Sequence, residues 1–284
     1  MHVRLADGTT AVARIKGKKL RPVCGDRVEV SPIEAETDWL ITGILPRDNE
    51  LTRPDSRGRI EVLAANFSCL VVVAAPTPEP DWFIVDRYLA AAEIMGATAI
   101  LVFNKSDLGQ HKADESLNIY RKIGYTVVPM SAKSSAGVTE LGQLLHNQTS
   151  IIVGQSGVGK SSIINLLASD ADLRTGSVSE TSKEGRHTTV NSELIDLPGG
   201  GAVIDSPGVR DYAPFVESSA QVETGFPEIA RYARDCRFAN CAHLREPGCA
   251  VKDAVESDGI DARRYESYRR LLSMTRRFAE GRFK

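Results

Sequence analysis

The sequence predicts a three-part protein: an N-terminal β-barrel, a central and mostly parallel α/β sheet, and a small C-terminal helical unit built on a Cys/His cluster. Three observations lead there. Short alternating strand patterns with turn residues fill residues 1–65. Buried-strand runs alternate with helical stretches over residues 66–218. Residues 219–284 hold clustered cysteines and then a basic helix. A chain of 284 residues has room for two or three such domains.

Composition sets bounds on function. The chain is 42% hydrophobic and 25% charged, with a net charge of −2. It is therefore not a wholly basic nucleic-acid binder, and any RNA contact must come from local patches. No apolar run approaches the roughly 18–20 residues that cross a bilayer. Residues 1–8 contain no apolar stretch of a secretory signal, so a cytoplasmic protein without membrane contact is expected. Three of the five cysteines fall between residues 236 and 249, and an odd, clustered set without a signal peptide favours metal over disulfides.

In the first zone, Asp7-Gly8 is a turn signal between Val3–Leu5 and the alternating stretch Thr10–Ile15. Cys24-Gly25-Asp26 precedes Arg27–Val30, again alternating, and Trp39–Leu45 ends at Pro46. A closed or partly closed barrel is the natural solution because it removes exposed edges. Arg14, Lys16, Lys18, Lys19 and Arg21 form a basic group on it. That group is either a solvated hairpin or a phosphate-contacting one.

In the second zone the strands are expected at Cys69–Ala74, Ala99–Phe103, Thr126–Val128, Ile151–Val153, Glu193–Ile195 and Ala202–Ile204. Pro80 suits the first turn of a helix whose apolar face is Trp82, Val85, Leu89 and Ala92, with Tyr88 beside it. That stripe reads as core.

Gly154-Gln155-Ser156-Gly157-Val158-Gly159-Lys160-Ser161 matches G-x-x-x-x-G-K-[ST]. It follows a strand and opens into a helix beginning near Ser162, the context the motif needs. Its glycines let backbone N–H groups curl around phosphates, and the helix N-terminus adds its dipole. Lys160 would place a charge on the β/γ-phosphates, and the Ser161 hydroxyl would bind Mg²⁺. Asp205-Ser206-Pro207-Gly208 ends a strand, where Asp205 can hold Mg²⁺ through water and Gly208 can offer its N–H to a γ-phosphate.

Asn104-Lys105-Ser106-Asp107 also ends a strand. The Asp107 carboxylate can accept two hydrogen bonds from guanine, a donor pair that adenine lacks. The Lys105 stem can lie over the base, and a backbone N–H of Ser131-Ala132-Lys133 can reach guanine O6. Together with the P-loop these segments select a guanine nucleotide over an adenine one.

The order of the segments is unusual. The base-reading segments at 104 and 131 precede the P-loop at 154. The sheet has been cut after the D-x-x-G strand and rejoined, a circular permutation, which folding tolerates when native termini lie close together. The chain after Gly208 then runs directly into the cysteine zone.

Three Cys and one His in Cys236-x4-Cys241-x-His243-x5-Cys249 can form a closed, tetrahedral, structural metal site. Pro247-Gly248 supplies the turn that returns Cys249. The spacing is not the common C-x₂-C, so free thiols are the alternative. Cys24 and Cys69 receive no role. The final helix interleaves Arg263, Arg264, Arg269, Arg270, Arg276, Arg277 and Arg282 with Tyr265, Tyr268, Leu271, Leu272, Met274 and Phe278.

With its permuted order, Gly185-Arg186-His187-Thr188-Thr189, Asp205–Arg210 and the Cys/His cluster, the chain resembles the ribosome small subunit-dependent GTPase A family of bacterial ribosome-assembly factors over nearly its whole length. Val23–Val28 and Leu51-Thr52-Arg53-Pro54 are similar to that family's barrel. The resemblance implies an OB-fold barrel, a permuted GTPase domain and a zinc domain, acting late in small-subunit maturation. Expected partners are GTP or GDP, the small subunit and its rRNA, with one structural Zn²⁺ and Mg²⁺ accompanying GTP on a monomeric protein. The family usually has a further strand before the first Asp-Gly turn, and this chain starts almost at that turn. Thr189 matches the switch Thr of related GTPases, with Thr188 as the alternative. Val209 stands where many GTPases place a water-orienting Gln. His187 is then the candidate for that task, against a surface or rRNA-contacting role. Two readings result: a GTPase docking on rRNA and the small subunit, or an RNA- or protein-binding module in which nucleotide is only a conformational ligand.

Overall fold

The computed structural model describes residues 1–17, 19–54, 59–109, 113–175, 192–205, 216 and 219–280. The first zone is built from six strands, β1 (His2–Arg4), β2 (Thr10–Ile15), β3 (Val28–Pro32), β4 (Trp39–Ile44), β5 (Glu50–Pro54) and β6 (Ile60–Ala65). The first four form a curled sheet in the order β1-β2-β4-β3, with β2 and β4 parallel and the other pairs antiparallel. β5 and β6 form a separate antiparallel hairpin. The expected strands are all present; β6 carried no sequence signal of its own.

The Cys24-Gly25-Asp26 turn joins the two layers. Cys24 bridges Ala64 of β6, and Gly25 adopts φ +91°. A Cβ at Gly25 would lie 1.9 Å from the Ala65 carbonyl oxygen, so only glycine permits this approach. Asp26 fixes the turn: its buried carboxylate accepts from the Val23 N–H at 2.8 Å and from Arg47 at 2.7 and 2.9 Å. On the outer surface Arg14 is paired with Glu36 and Asp38, so part of the basic group is neutralised locally.

The second zone carries β7 (Cys69–Ala74), α1 (Trp82–Met95), β8 (Thr98–Phe103), α2 (Asp114–Ile123), β9 (Thr126–Pro129), α3 (Val138–Leu144), β10 (Thr149–Gly154), α4 (Lys160–Thr175), β11 (Glu193–Asp196) and β12 (Ala202–Asp205). The sheet order is β11-β12-β10-β7-β8-β9, parallel except for the edge strand β11. Every residue of β7 is buried, as a central strand covered on both faces requires. One face packs Leu70, Val72, Leu101 and Ile151 against α1, α2 and the β5–β6 hairpin. The other packs Val71, Val73, Val102 and Ile152 against α3 and α4.

Helix α1 departs slightly from expectation. Pro80 precedes the helix; Asp81 is the N-cap, its carboxylate accepting from the N–H groups of Phe83 and Ile84. Val85, Tyr88, Leu89 and Ala92 are core, as the stripe predicts.

The third zone consists of α5 (Ser219–Thr224), α6 (Pro227–Ala233), α7 (Ala250–Glu256) and α8 (Ala262–Ala279), packed around Phe226, Ile229, Val251, Tyr268 and Leu272. It docks on α1 through a buried polar cluster. Asp86 of α1 accepts from Arg264 at 3.0 Å, Arg263 at 2.9 Å, Ser267 at 2.6 Å and Tyr120 at 2.6 Å. The Arg264 guanidinium also forks onto Glu228 at 2.7 and 3.1 Å. Arg263 and Arg264 of the basic final helix thus join two zones. Arg282 and Lys18 lie outside the described residues. No helix among the described residues is long and apolar enough to cross a membrane.

Candidate nucleotide site and metal centre

Strands β7, β8, β9 and β10 all end on the same side of the sheet, and the loops that follow them converge there. This is the crevice outside the carboxyl ends of parallel strands. The loop after β10 runs from Gly154 into α4 at Lys160. Gly159 has φ +97°, and a Cβ there would meet Asn104 Nδ2 at 2.4 Å. The loop therefore closes directly over the segment that follows β8.

Asn104 is almost fully buried and works as a brace. Its Nδ2 donates to the Val158 carbonyl at 2.8 Å, and its Oδ1 accepts from the Ala132 N–H at 3.0 Å. One side chain thus joins the P-loop to the Ser131-Ala132-Lys133 loop. Lys105 makes a second tie, donating from Nζ to the Gly157 and Thr77 carbonyls at 2.8 and 2.7 Å. Its backbone is left-handed, at φ +59°. Asp107 accepts from Ser131 Oγ at 2.6 Å, which orients its carboxylate without consuming both oxygens. Ser106 N–H donates to the Met130 carbonyl at 3.0 Å, locking the two base-side loops in register.

Lys160 is buried, and its Nζ donates to the Gly154 and Gln155 carbonyls, both at 2.6 Å. The ammonium therefore sits inside the loop, where phosphate oxygens would compete with those carbonyls. Ser156, Gly157, Ser161 and Ser162 are exposed at the mouth. Gln155 Oε1 accepts from the Asp81 N–H at 2.9 Å, so the P-loop touches the start of α1. Asp205 ends β12 beside β10. Gly208, Val209 and the whole Gly185–Thr189 segment, with His187, Thr188 and Thr189, lie outside the described residues.

The second cluster lies in the third zone. One ligand atom from each of Cys236, Cys241, His243 and Cys249 falls within 4.8 Å of the others, an arrangement that could hold a metal ion. His243 Nδ1 is 3.5 Å from both Cys236 Sγ and Cys249 Sγ, and those two sulfurs are 3.9 Å apart. A tetrahedron built on ordinary Zn–S and Zn–N bonds has edges of about 3.8 Å (S to S) and 3.6 Å (S to N). The residues fit such an ion. Burial pushes the Cys241 thiol up to about 12, with the neighbouring thiols adding to it, so without a cation it stays protonated and a bound cation would have to displace its proton. His243 is held at φ +56°, and Tyr265 Oη donates to its carbonyl at 2.5 Å. By contrast, burial pushes Cys24 up to about 11 and Cys69 up to about 12, and neither belongs to a metal-ligating group among the described residues.

Sequence reasoning placed the loops but missed three supporting residues. Asp81 carried a helix-cap signal next to Pro80. Asp86 and Glu223 belong to no motif.

The fold and the two clusters define a circularly permuted P-loop GTPase with an appended Cys/His metal unit. Residues 44–214 match the family described as RsgA GTPase. The small ribosomal subunit biogenesis GTPase RsgA of Pseudomonas fluorescens Pf-5 is 44% identical over 238 residues, covering 82% of this chain and 69% of that protein. The protein of the same description from Chromohalobacter salexigens is 43% identical over 253 residues, covering 88% and 74%. The structure is similar to YjeQ from Thermotoga maritima, with a TM-score of 0.75, 30% identity and coverage of 95% of this chain and 91% of that one. It is also similar to YloQ, described as a circularly permuted GTPase, with a TM-score of 0.72, 27% identity and coverage of 95% and 87%. The chain belongs to the RsgA GTPase family.

Proposed function

We propose that this protein hydrolyses GTP during maturation of the small ribosomal subunit, working in the cytoplasm as a monomer. The Asn104 brace is the observation that supports a committed guanine site: one buried side chain holds the phosphate loop and a base-side loop in fixed relation. Asp107 would accept from the guanine edge, and the Ala132 region would face O6. Gly154–Ser162 would wrap the phosphates, with Lys160 supplying charge. Ser161, Asp205 and Thr189 would hold Mg²⁺, which neutralises charge on the phosphates when bound. Gly208 would report the γ-phosphate, and His187 would orient the attacking water.

Residues 1–65 and 219–284 are proposed as the docking units, and residues 66–218 as the GTPase unit. Zn²⁺ is the proposed ion of Cys236, Cys241, His243 and Cys249, because three thiols and an imidazole form a closed donor set suited to it. A groove of ≈ 670 Å³ along α8 is lined by Arg245, Arg269, Arg270, Arg276 and Arg277 against the two carboxylates Glu266 and Glu280, Glu266 being paired with Arg269 and Arg270, with Phe83 at its wall. The excess of guanidinium groups over carboxylates suits the phosphate backbone of rRNA, with salt-sensitive affinity.

Single-turnover GTP hydrolysis with and without purified small subunits tests this reading. Stimulated turnover is expected. Nucleotide binding with negligible turnover in both conditions would make the protein a nucleotide-switched binding module instead.

A further inference from the structure

His243 uses both ring nitrogens. Nδ1 faces the Cys236 and Cys249 sulfurs at 3.5 Å, and Nε2 lies 3.0 Å from Glu223 Oε2. A carboxylate can only accept, so Nε2 carries the hydrogen and the Nδ1 lone pair points among the thiols. The ring is buried, while the Glu223 side chain is 37% exposed. Glu223 therefore reaches in from the rim and is not itself part of the packed core. Its position is well defined: the next residue back, Val222, is fully buried among Phe226, Ile229 and Tyr268, and Thr224 Oγ1 donates to the Gln221 carbonyl at 2.7 Å.

We infer that Glu223 is the positioning residue of the metal centre: it selects Nδ1 of His243 as the ligand atom and ties α5 to the ion through the imidazole. The inference rests on the metal reading of the Cys/His cluster. Its logic is that of other histidine ligands, whose second ring nitrogen is held by a carboxylate that fixes the tautomer and raises the basicity of the first. His243 sits on a left-handed backbone, at φ +56°, with its buried ring tilted towards Tyr268 at 6.0 Å between centroids, so packing holds the plane of the ring and the carboxylate sets which nitrogen carries the hydrogen. The Tyr265 hydroxyl fixes the backbone end of the residue through its carbonyl, and Glu223 fixes the far end of the ring.

The placement of α5 gives the contact a wider meaning. Among the described residues α5 is the first helix after β12, the strand that ends at Asp205. A hydrogen bond from a metal-ligating imidazole to α5 fastens the first described helix of the C-terminal unit to the cluster. Removing the carboxylate should loosen the ion and α5 together.

The full-length protein tests this by competition for Zn²⁺ against a chromophoric chelator, and by the absorption spectrum of Co²⁺-substituted protein. Glu223→Ala should weaken Zn²⁺ binding by about 10–100-fold and shift the Co²⁺ bands. Glu223→Gln, whose amide oxygen still accepts from Nε2–H, should recover most of the loss. A general folding defect would not be rescued by Gln in this way, nor would it alter the Co²⁺ bands of the bound fraction. A parent protein that binds one Zn²⁺ beside a Glu223→Ala variant with unchanged affinity and spectrum would overturn the role of Glu223. A parent that binds no metal would overturn the metal reading itself.

Discussion

Asp86 and Arg264, 178 positions apart in the chain, meet at 3.0 Å with both side chains fully buried. The pair joins the first helix of the nucleotide sheet to the last helix of the protein. Glu228 takes the other side of the guanidinium, and Arg263 takes the second oxygen of Asp86. Asp86→Ala would leave Arg264 buried beside one carboxylate and deprive Arg263 of its carboxylate partner. The expected loss is about 3–5 kcal/mol, the usual consequence of breaking a buried pair from one side. Urea unfolding followed by far-UV circular dichroism measures it, and a loss below about 1 kcal/mol would show that the cluster is not what joins the zones.

Asp107→Asn should exchange guanine preference for xanthine preference. The amide can donate to the xanthine O2 but cannot accept from both guanine donors. Losing at least one of two hydrogen bonds to a charged acceptor, at about 1.5–3 kcal/mol each, predicts a fall of at least roughly 10–10²-fold in GTP affinity. Titration with fluorescent GTP and XTP analogues checks it; full GTP affinity and selectivity in the variant would remove Asp107 from the base site.

His187→Ala should keep GTP affinity and lose most of the turnover stimulated by small subunits. Val209 has no group to orient water, so the task must fall elsewhere. Lost nucleotide binding would make His187 structural, and unchanged stimulated turnover would assign the water-orienting group to the ribosome.

Chelation of the metal should unfold the C-terminal unit before it affects GTP binding. The Cys/His cluster lies in the third zone, whereas the loops after β8, β9 and β10 are braced by Asn104 and Lys105. Metal analysis of the purified protein should give one zinc per chain. Limited proteolysis after chelator treatment should cut first beyond residue 219.

Glu246 predicts an acid-sensitive metal loop. Its own backbone N–H, then those of Leu244, Arg245 and Ala242, hold its carboxyl at about 2, against the opposing effect of desolvation. A carboxyl lowered on folding stabilises above its unfolded value near 4.5, and that contribution disappears as the pH falls through about 2. The stability gap between the parent and Glu246→Gln should therefore be full at pH 6 and shrink across that window. A gap that does not change with pH would mean that the carboxylate charge is not involved.

The sequence exposed whatever follows a period or a fixed spacing. Buried runs such as Cys69–Ala74 announced the sheet, and Gly154–Ser161 announced the phosphate loop. Charged residues that become core followed neither rule. Arg263 and Arg264 read as part of a basic helix face because the partners that bury them, Asp86 and Glu228, lie far away in sequence. Asn104 was legible as a site residue but not as a brace, since its bonds to Val158 and Ala132 exist only after three loops have converged. Pro80 announced a helix start, yet the cap is Asp81, one residue later.

The strand order also has a consequence in time. β7 pairs with β8 on one side and with β10 on the other. During synthesis β7, β8 and β9 leave the ribosome first, and β10 cannot join them until residue 149 has been made. At about 5–20 residues per second, the stretch from 75 to 148 takes roughly 4–15 s to emerge. Throughout that interval β7 has an unpaired edge and a fully apolar sequence, the combination that invites pairing with another nascent chain. The permutation thus makes the centre of the finished sheet the most vulnerable edge of the growing one, and β10, the strand that carries the phosphate loop, is the strand that closes it.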